Sequence, residues 1–164
     1  MKHLLILSGK GGTGKTTTAA AFIHFSQTRA MADCDVDAPN LHLVAAPPVS
    51  PEISEFLGGE KAVVDPDKCV GCGICASHCR FNALEKEEGR YRVNEYACEG
   101  CGVCAYVCPQ KAVYLAEDVA GRKELYLGER IFSTAVLKMG RGNSGKLVTD
   151  VKMAMLKHAP ETEL

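Results

Sequence analysis

Eight of the nine cysteines fall into two copies of one pattern, CxxCxxCxxxC. The first holds Cys69, Cys72, Cys75 and Cys79, and the second, 29 positions later at every member, holds Cys98, Cys101, Cys104 and Cys108. A cubane iron–sulfur cluster needs thiolates that converge from a tight loop, with a fourth supplied from elsewhere in the fold. Cysteines at successive two-residue gaps, twice over, meet the first condition. Gly71 and Gly73, matched by Gly100 and Gly102, permit positive φ and let amide groups point toward cluster sulfurs. Two other chemistries use many cysteines. A disulfide scaffold belongs to oxidising compartments, and the apolar run Leu4 to Leu7 is too short for a signal peptide. Zinc sites usually use separated CxxC pairs. The spacing therefore favours iron and sulfide over zinc or disulfides.

A second group able to do chemistry stands at the amino terminus. Gly9, Lys10, Gly11, Gly12, Thr13, Gly14, Lys15, Thr16 and Thr17 contain GxxxxGK[ST] from Gly9 to Thr16, the phosphate-cradling pattern. Glycine backbone there can wrap a β-phosphate at a helix N-terminus, Lys15 can neutralise the β and γ phosphates, and the Thr16 hydroxyl can ligate magnesium. Carboxylates follow in Asp33-Cys34-Asp35-Val36-Asp37-Ala38-Pro39-Asn40, at the end of a short strand-like run where α/β sheets bind ligands. Asp37 suits a turn cap. Cys34 reads as a small packed residue, because the two runs already supply eight thiolates.

The elements that must position these groups can be read coarsely. His3 to Leu7 looks like the strand before the phosphate loop, Thr17 to Phe25 a helix, and Ala30 to Ala32 a strand. Ile53 to Leu57 suggests a short helical piece after Pro47, Pro48 and Pro51. Tyr91 to Val93 and Val113 to Leu115 suggest small strands beside the cysteine loops, and Glu124 to Leu127 and Ile131 to Met139 two more. Val148 to Lys157 has helical spacing through Val148, Val151, Met155 and Leu156. Gly140, Gly145 and Lys146 repeat GxxxxGK, but Leu147 cannot supply a magnesium hydroxyl, so no second nucleotide site is expected.

Composition is that of an ordinary globular chain: 164 residues, 46% apolar and a formal net charge of −1. No charge block implies nucleic acid or an anionic membrane surface, and no apolar stretch spans a bilayer. A cytoplasmic location is the expectation. His3, His24, His42 and His158 lie outside any ligand spacing. His78, beside Cys79, is either a donor that tunes a cluster or an exposed side chain.

The cysteine runs resemble the bacterial two-cluster ferredoxin, in which the last cysteine of each run serves the other cluster. That resemblance implies cluster I on Cys69, Cys72, Cys75 and Cys108, and cluster II on Cys98, Cys101, Cys104 and Cys79. Pro109 follows Cys108 as in the family, whereas Arg80 follows Cys79, which should alter the local turn. The segment KGGTGKTT resembles the deviant P-loop of the MinD superfamily, and DCDVDAPN and NSGKLV resemble further segments of members that carry an inserted ferredoxin domain. This second resemblance implies that Lys10 reaches a partner subunit's nucleotide in a homodimer, that Asp33 holds magnesium through water, and that Asp35 orients the attacking water.

The expected fold class is therefore α/β: an incomplete P-loop NTPase with a deviant Walker A motif and a parallel sheet, carrying an inserted α+β two-cluster ferredoxin domain. The expected divisions are 1–60 for the nucleotide-binding part, 61–116 for the ferredoxin insert, and 117–164 for a return segment that stops before switch II. Two [4Fe-4S] clusters, ATP and magnesium are the implied cofactors. ATP binding, with or without hydrolysis, would then be coupled to electron transfer or to cluster delivery to a redox partner or cluster-accepting protein. The alternative is a ferredoxin-type electron carrier with a non-functional P-loop remnant, and full ATP turnover by these residues alone is not expected.

Overall fold

A computed structural model describes residues 3–9 and 12–159. In chain order the elements are α1 (Lys15–Ser26), β1 (Ala30–Ala32), α2 (His42–Ala45), β2 (Glu52–Val64), α3 (Ile74–Ser77), β3 (Leu84–Glu87), β4 (Arg90–Val93), α4 (Val103–Val107), β5 (Val113–Leu127), β6 (Ile131–Leu137) and α5 (Ser144–His158). One sheet has the order β1-β6-β5-β2, and a second consists of β3 and β4. The chain divides into two compact units, residues 57–120 with 140–142 and the remaining segments. The divisions fall inside β2 and β5, after Phe56 and after Ala120.

In the unit that carries the amino terminus, β1 pairs parallel with β6, setting Met31 opposite Phe132. The core gathers Ile23 of α1, Met31, Leu41, Ala45 and Phe132, the last with no exposed surface. Tyr126 leans on Phe132 with ring centroids 5.5 Å apart. Helix α5 packs on β6 and β1 and buries Leu147 and Val151 completely or nearly so. Gly121 is required beneath it: a Cβ there would lie 2.7 Å from the Val136 carbonyl oxygen.

Four expectations about elements are corrected. The sheet is mixed rather than parallel, because only three residues separate β5 from β6 and so tight a connection returns the chain antiparallel, Leu127 opposite Ile131. The expected strands at Val113 to Leu115 and Glu124 to Leu127 are one 15-residue strand. Ile53 to Leu57 belongs to β2 and not to a helix. Gly58 and Gly59 disfavour a helix, and the buried residues of β2 stand at positions 56, 58 and 62, the period of a strand. His3 to Leu7 forms no strand: no described strand pairs with it, and Leu4, Leu5 and Leu7 are 68%, 73% and 78% exposed. A strand needs a backbone partner for its N–H and C=O groups, which apolar sequence alone does not provide.

The other unit is built on the 29-residue repeat, which extends well beyond the cysteines. Asp65 and Asn94 open the two halves, their amides donating to the carbonyls of Ala112 and Ala83, both at 2.7 Å. Each side chain then closes a turn, Asp65 Oδ1 accepting from Asp67 N and Asn94 Oδ1 from Tyr96 N. Its core consists of Ala62, Cys75, Ala83, Cys98, Cys104 and Val113, so half of the fully buried set is cysteine. Arg141 ties down the 140–142 segment through Asp118, 3.0 Å away, and Glu95, 2.5 Å away.

Candidate functional site

Each cysteine run wraps a short helix whose first turn starts from a left-handed glycine, Gly73 at φ 83° before α3 and Gly102 at φ 77° before α4. Gly71 and Gly100, two positions earlier, have φ 68° and 66°. No side chain fits there: a Cβ on Gly71 would collide with the Gly89 carbonyl oxygen, and one on Gly100 with that of Glu60. The glycines thus let each loop curl tightly while a neighbouring backbone passes against it. The fourth cysteines end in matching turns, with Asn82 N donating to Cys79 O and Lys111 N to Cys108 O. Asn82 and Lys111 have φ 51° and 49°. The expected change of turn at Arg80 is therefore corrected. Proline's restricted φ at that position is one that arginine adopts freely.

Two cavities result, and each gathers the three leading cysteines of one run with the fourth of the other. One, of about 330 Å³ including its open mouth, is lined by Cys69, Cys72, Cys75 and Cys108 together with Val64, Tyr91 and Pro109. The other, of about 350 Å³, is lined by Cys98, Cys101, Cys104 and Cys79 with Phe81, Leu84 and Val103. All eight thiols are free. Apolar walls, four soft sulfur donors and backbone amides aimed at sulfur make each cavity fit a cubane.

Burial sets the character of these thiols. Cys75 and Cys104 are buried, and that desolvation, only partly offset by backbone hydrogen bonds from Ala76 and Ala105, pushes both thiols above their ordinary range. Iron binding must displace these protons. Cys72 and Cys101 are exposed, so each cavity has one thiol at the surface. Amide donors reach Cys79 Sγ from Ala83 N and Cys108 Sγ from Ala112 N, both at 3.3 Å, another pair 29 positions apart. Cys98 Sγ accepts from both Ala62 N and Gly100 N at 3.5 Å. His78 is exposed and its ring contacts the Ile74 carbonyl and the Ser77 hydroxyl, not a sulfur.

The phosphate-loop residues lie in the other unit. Helix α1 starts at Lys15 from Gly14, which has φ 82°, and Thr18 N donates to Gly14 O. Lys15 Nζ pairs with Asp35 Oδ2 at 2.6 Å, both side chains about one-third exposed. The Thr16 hydroxyl donates to Asn40 Oδ1 at 2.6 Å. Asp33 is buried, and its carboxylate accepts three backbone amides: Asp35 N on Oδ1, Asn40 N and Leu41 N on Oδ2. These bonds hold the loop from Asp33 to Leu41 closed against α1. Gly9, Gly12, Thr13 and Thr17 are exposed, while Lys10 and Gly11 lie outside the described residues. Cys34 is exposed, a correction to the packed role expected of it, because its neighbour Asp33 faces inward along the chain. Lys146 lies over the Phe56 ring, 5.5 Å from its centroid, and Leu147 is core.

The spacing of the motifs marked the eight cysteines and the Lys15 region. The contacts of Lys61, the alanine pair Ala83 and Ala112, and the turn-closing pair Asp65 and Asn94 carry no such motif. The 29-residue offset, extended from cysteine to its neighbours, is the signal that finds Asp65 with Asn94 and Ala83 with Ala112.

Comparison with known proteins agrees with the cysteine geometry. Residues 62–115 match the family described as a 4Fe-4S dicluster domain. The whole chain is similar to an uncharacterized protein of Methanocaldococcus jannaschii, 31% identical over 169 aligned positions that cover 96% of this chain and 56% of the relative. A ferredoxin of Pyrobaculum islandicum is 36% identical over 67 positions, covering 40% of this chain and 63% of that protein. The chain thus spans a little over half the length of these relatives. No helix among the described residues is long and apolar enough to cross a membrane. Residues 62–115 form a 4Fe-4S dicluster ferredoxin domain, and [4Fe-4S] clusters are its cofactors.

Proposed function

We propose that the chain is a two-cluster electron carrier, with one [4Fe-4S] cluster on Cys69, Cys72, Cys75 and Cys108 and the other on Cys98, Cys101, Cys104 and Cys79. The observation that carries this reading is the pair of cavities, each lined by three cysteines of one run and the fourth of the other. A bound [4Fe-4S] cluster supplies a one-electron couple. The protein's own part is to supply four thiolates per cavity, to aim the amides of Ala62, Ala83, Gly100 and Ala112 at sulfur, and to exclude water with Val64, Phe81, Leu84 and Tyr91. Exposed Cys72 and Cys101 give each cluster an edge at which a redox partner can dock. Coulometric reduction tests this: about two electrons per chain, each one-electron and reversible, are expected with no added substrate, and a protein that accepts none contradicts it.

A second reading rests on a separate observation, the gathering of Lys15, Thr16, Asp35 and Asn40 at the start of α1. Here the 61–116 region is an insert in a MinD-type nucleotide-binding framework formed by 1–60 and 117–164. Magnesium–ATP would draw Lys15 from Asp35 onto the β and γ phosphates and Thr16 from Asn40 onto magnesium. ATP binding would then govern electron transfer or cluster delivery, with Lys10 serving a homodimer. Calorimetric titration with magnesium–ATP discriminates the readings. Binding that is lost in Lys15→Ala supports nucleotide control, and equal absence of binding in both proteins leaves the electron carrier alone.

A further inference from the structure

The two cavities obey one repeat, yet their electrostatics differ, and the difference centres on Lys61. Its ammonium donates to the backbone carbonyl of Cys98, the first ligand of the second run, from a half-buried position. The repeat places Arg90 at the corresponding point beside Cys69, and Arg90 is exposed with no such bond. The amides differ in the same sense. Cys98 Sγ accepts from Ala62 N and Gly100 N, and Cys79 Sγ from Ala83 N. In the first cavity Cys108 Sγ accepts from Ala112 N and Cys75 from the Ala76 amide, and among the described residues Tyr91 N and Gly71 N, the counterparts of Ala62 N and Gly100 N, make no bond to Cys69 Sγ. With the amide of Ala105 at Cys104 and that of Ala76 at Cys75 included, four amide donors and an ammonium face one ligand set, and two amides the other.

We infer that the two clusters are unequal in potential, the one on Cys98, Cys101, Cys104 and Cys79 accepting an electron more readily, with Lys61 as the positioning residue that sets the gap. An added electron raises the negative charge on the sulfurs, and hydrogen-bond donors and nearby positive charge stabilise that state. Opposing charges do not cancel the effect. Glu99 lines the same cavity but is solvent-exposed, so its field is screened. Lys68, beside Cys69, is exposed and paired with Asp65 at 2.8 Å, which neutralises it locally. Arg80, after Cys79, is exposed like Glu99 and its field is screened in the same way. The inequality gives the carrier a direction: electrons entering at the Cys72 edge settle on the ligand set nearer Cys101.

This inference rests on the two-cluster reading, and its test separates the two. The reconstituted protein is titrated with dithionite, which is oxidised to sulfite and supplies one electron per cluster without making or breaking a bond at Sγ, and the reduced clusters are followed by electron paramagnetic resonance. Two resolved steps are expected. In Cys101→Ser the higher step changes or disappears while the lower stays, whether or not serine retains the cluster. In Lys61→Met the reduction equilibrium of the higher step falls about tenfold, equivalent to about 59 mV for one electron. Lys61→Arg, which keeps the charge, retains the native value. With full iron content, coincident steps in the native protein, or a higher step that belongs to the Cys69 set, overturn the inference alone. A shift of both steps together in Lys61→Met does the same. Absence of iron in the native protein overturns the two-cluster reading and the inference with it.

Discussion

The two compact units are held together by different materials. Around the cysteine runs the buried set is Ala62, Cys75, Ala83, Cys98, Cys104 and Val113, small side chains of which half are thiols that face the cavities. Around α1, β1 and β6 it is Ile23, Met31, Leu41, Ala45 and Phe132, an ordinary apolar core, extended by Leu147 and Val151 of α5. The first unit leaves little hydrophobic free energy once its cavities are emptied, so cluster binding is folding free energy there. The second carries its stability in side-chain contact and its polar loop in the Asp33 hydrogen bonds. On the two-cluster reading, order around the cysteine runs depends on iron, and order around α1, β1 and β6 does not.

Iron removal is the strongest way to expose that difference. Stripping the clusters with ferricyanide and chelator removes a stabilisation on the order of 10 kcal/mol, the scale seen for small metallo-domains. Amide exchange should then show lost protection in 62–64 and 83–84 and retained protection in 132–137 and 147–151. Cross-ligation sharpens the same contrast. Cys79→Ala deprives the cavity of the second run, so about four of the roughly eight irons should remain, and iron analysis with visible absorption measures this. If cysteines served only their own run, the iron lost would come from the cavity of Cys69, Cys72 and Cys75, and the Cys98 set would keep its signal.

On the apolar side, Leu147→Ala should cost about 2–5 kcal/mol, because the residue is wholly buried between α5 and the sheet. Urea unfolding followed by far-ultraviolet dichroism reads the loss, and iron content should not change. Lys15→Ala is the mildest. Its pair with Asp35 is about one-third exposed, so a stability change of no more than about 1 kcal/mol is expected in a thermal melt.

How far the sequence revealed these two regions differs for the same physical reason. Thiols at a fixed short spacing, with glycine where the loop must curl, mark a tight loop by themselves, so the gathering of Cys69 to Cys108 and the positive φ of Gly71, Gly73, Gly100 and Gly102 were legible without a fold. Ala30 to Ala32 was also legible, a short apolar strand leading to carboxylates, and so was the helix after Gly14. The strand β2 was not, since ISEFL matches short helical and extended patterns equally and only its pairing in the sheet decides. Leu4 to Leu7 misled in the opposite direction: an apolar run signals a strand only when a partner strand receives it. At the candidate nucleotide site, spacing located Lys15, Asp33 and Asp35, but not that Asp33 would accept three amides or that Thr16 would bond Asn40. Those contacts depend on where a nine-residue loop closes, which no local pattern records.

The central claim is that four thiols from two runs hold each of two cubanes. Iron, acid-labile sulfide and zinc, measured together per chain on protein reconstituted without oxygen, test it most directly. The account predicts about eight iron and eight sulfide with no zinc. Zinc at about one ion per cysteine run, with no sulfide, would contradict it.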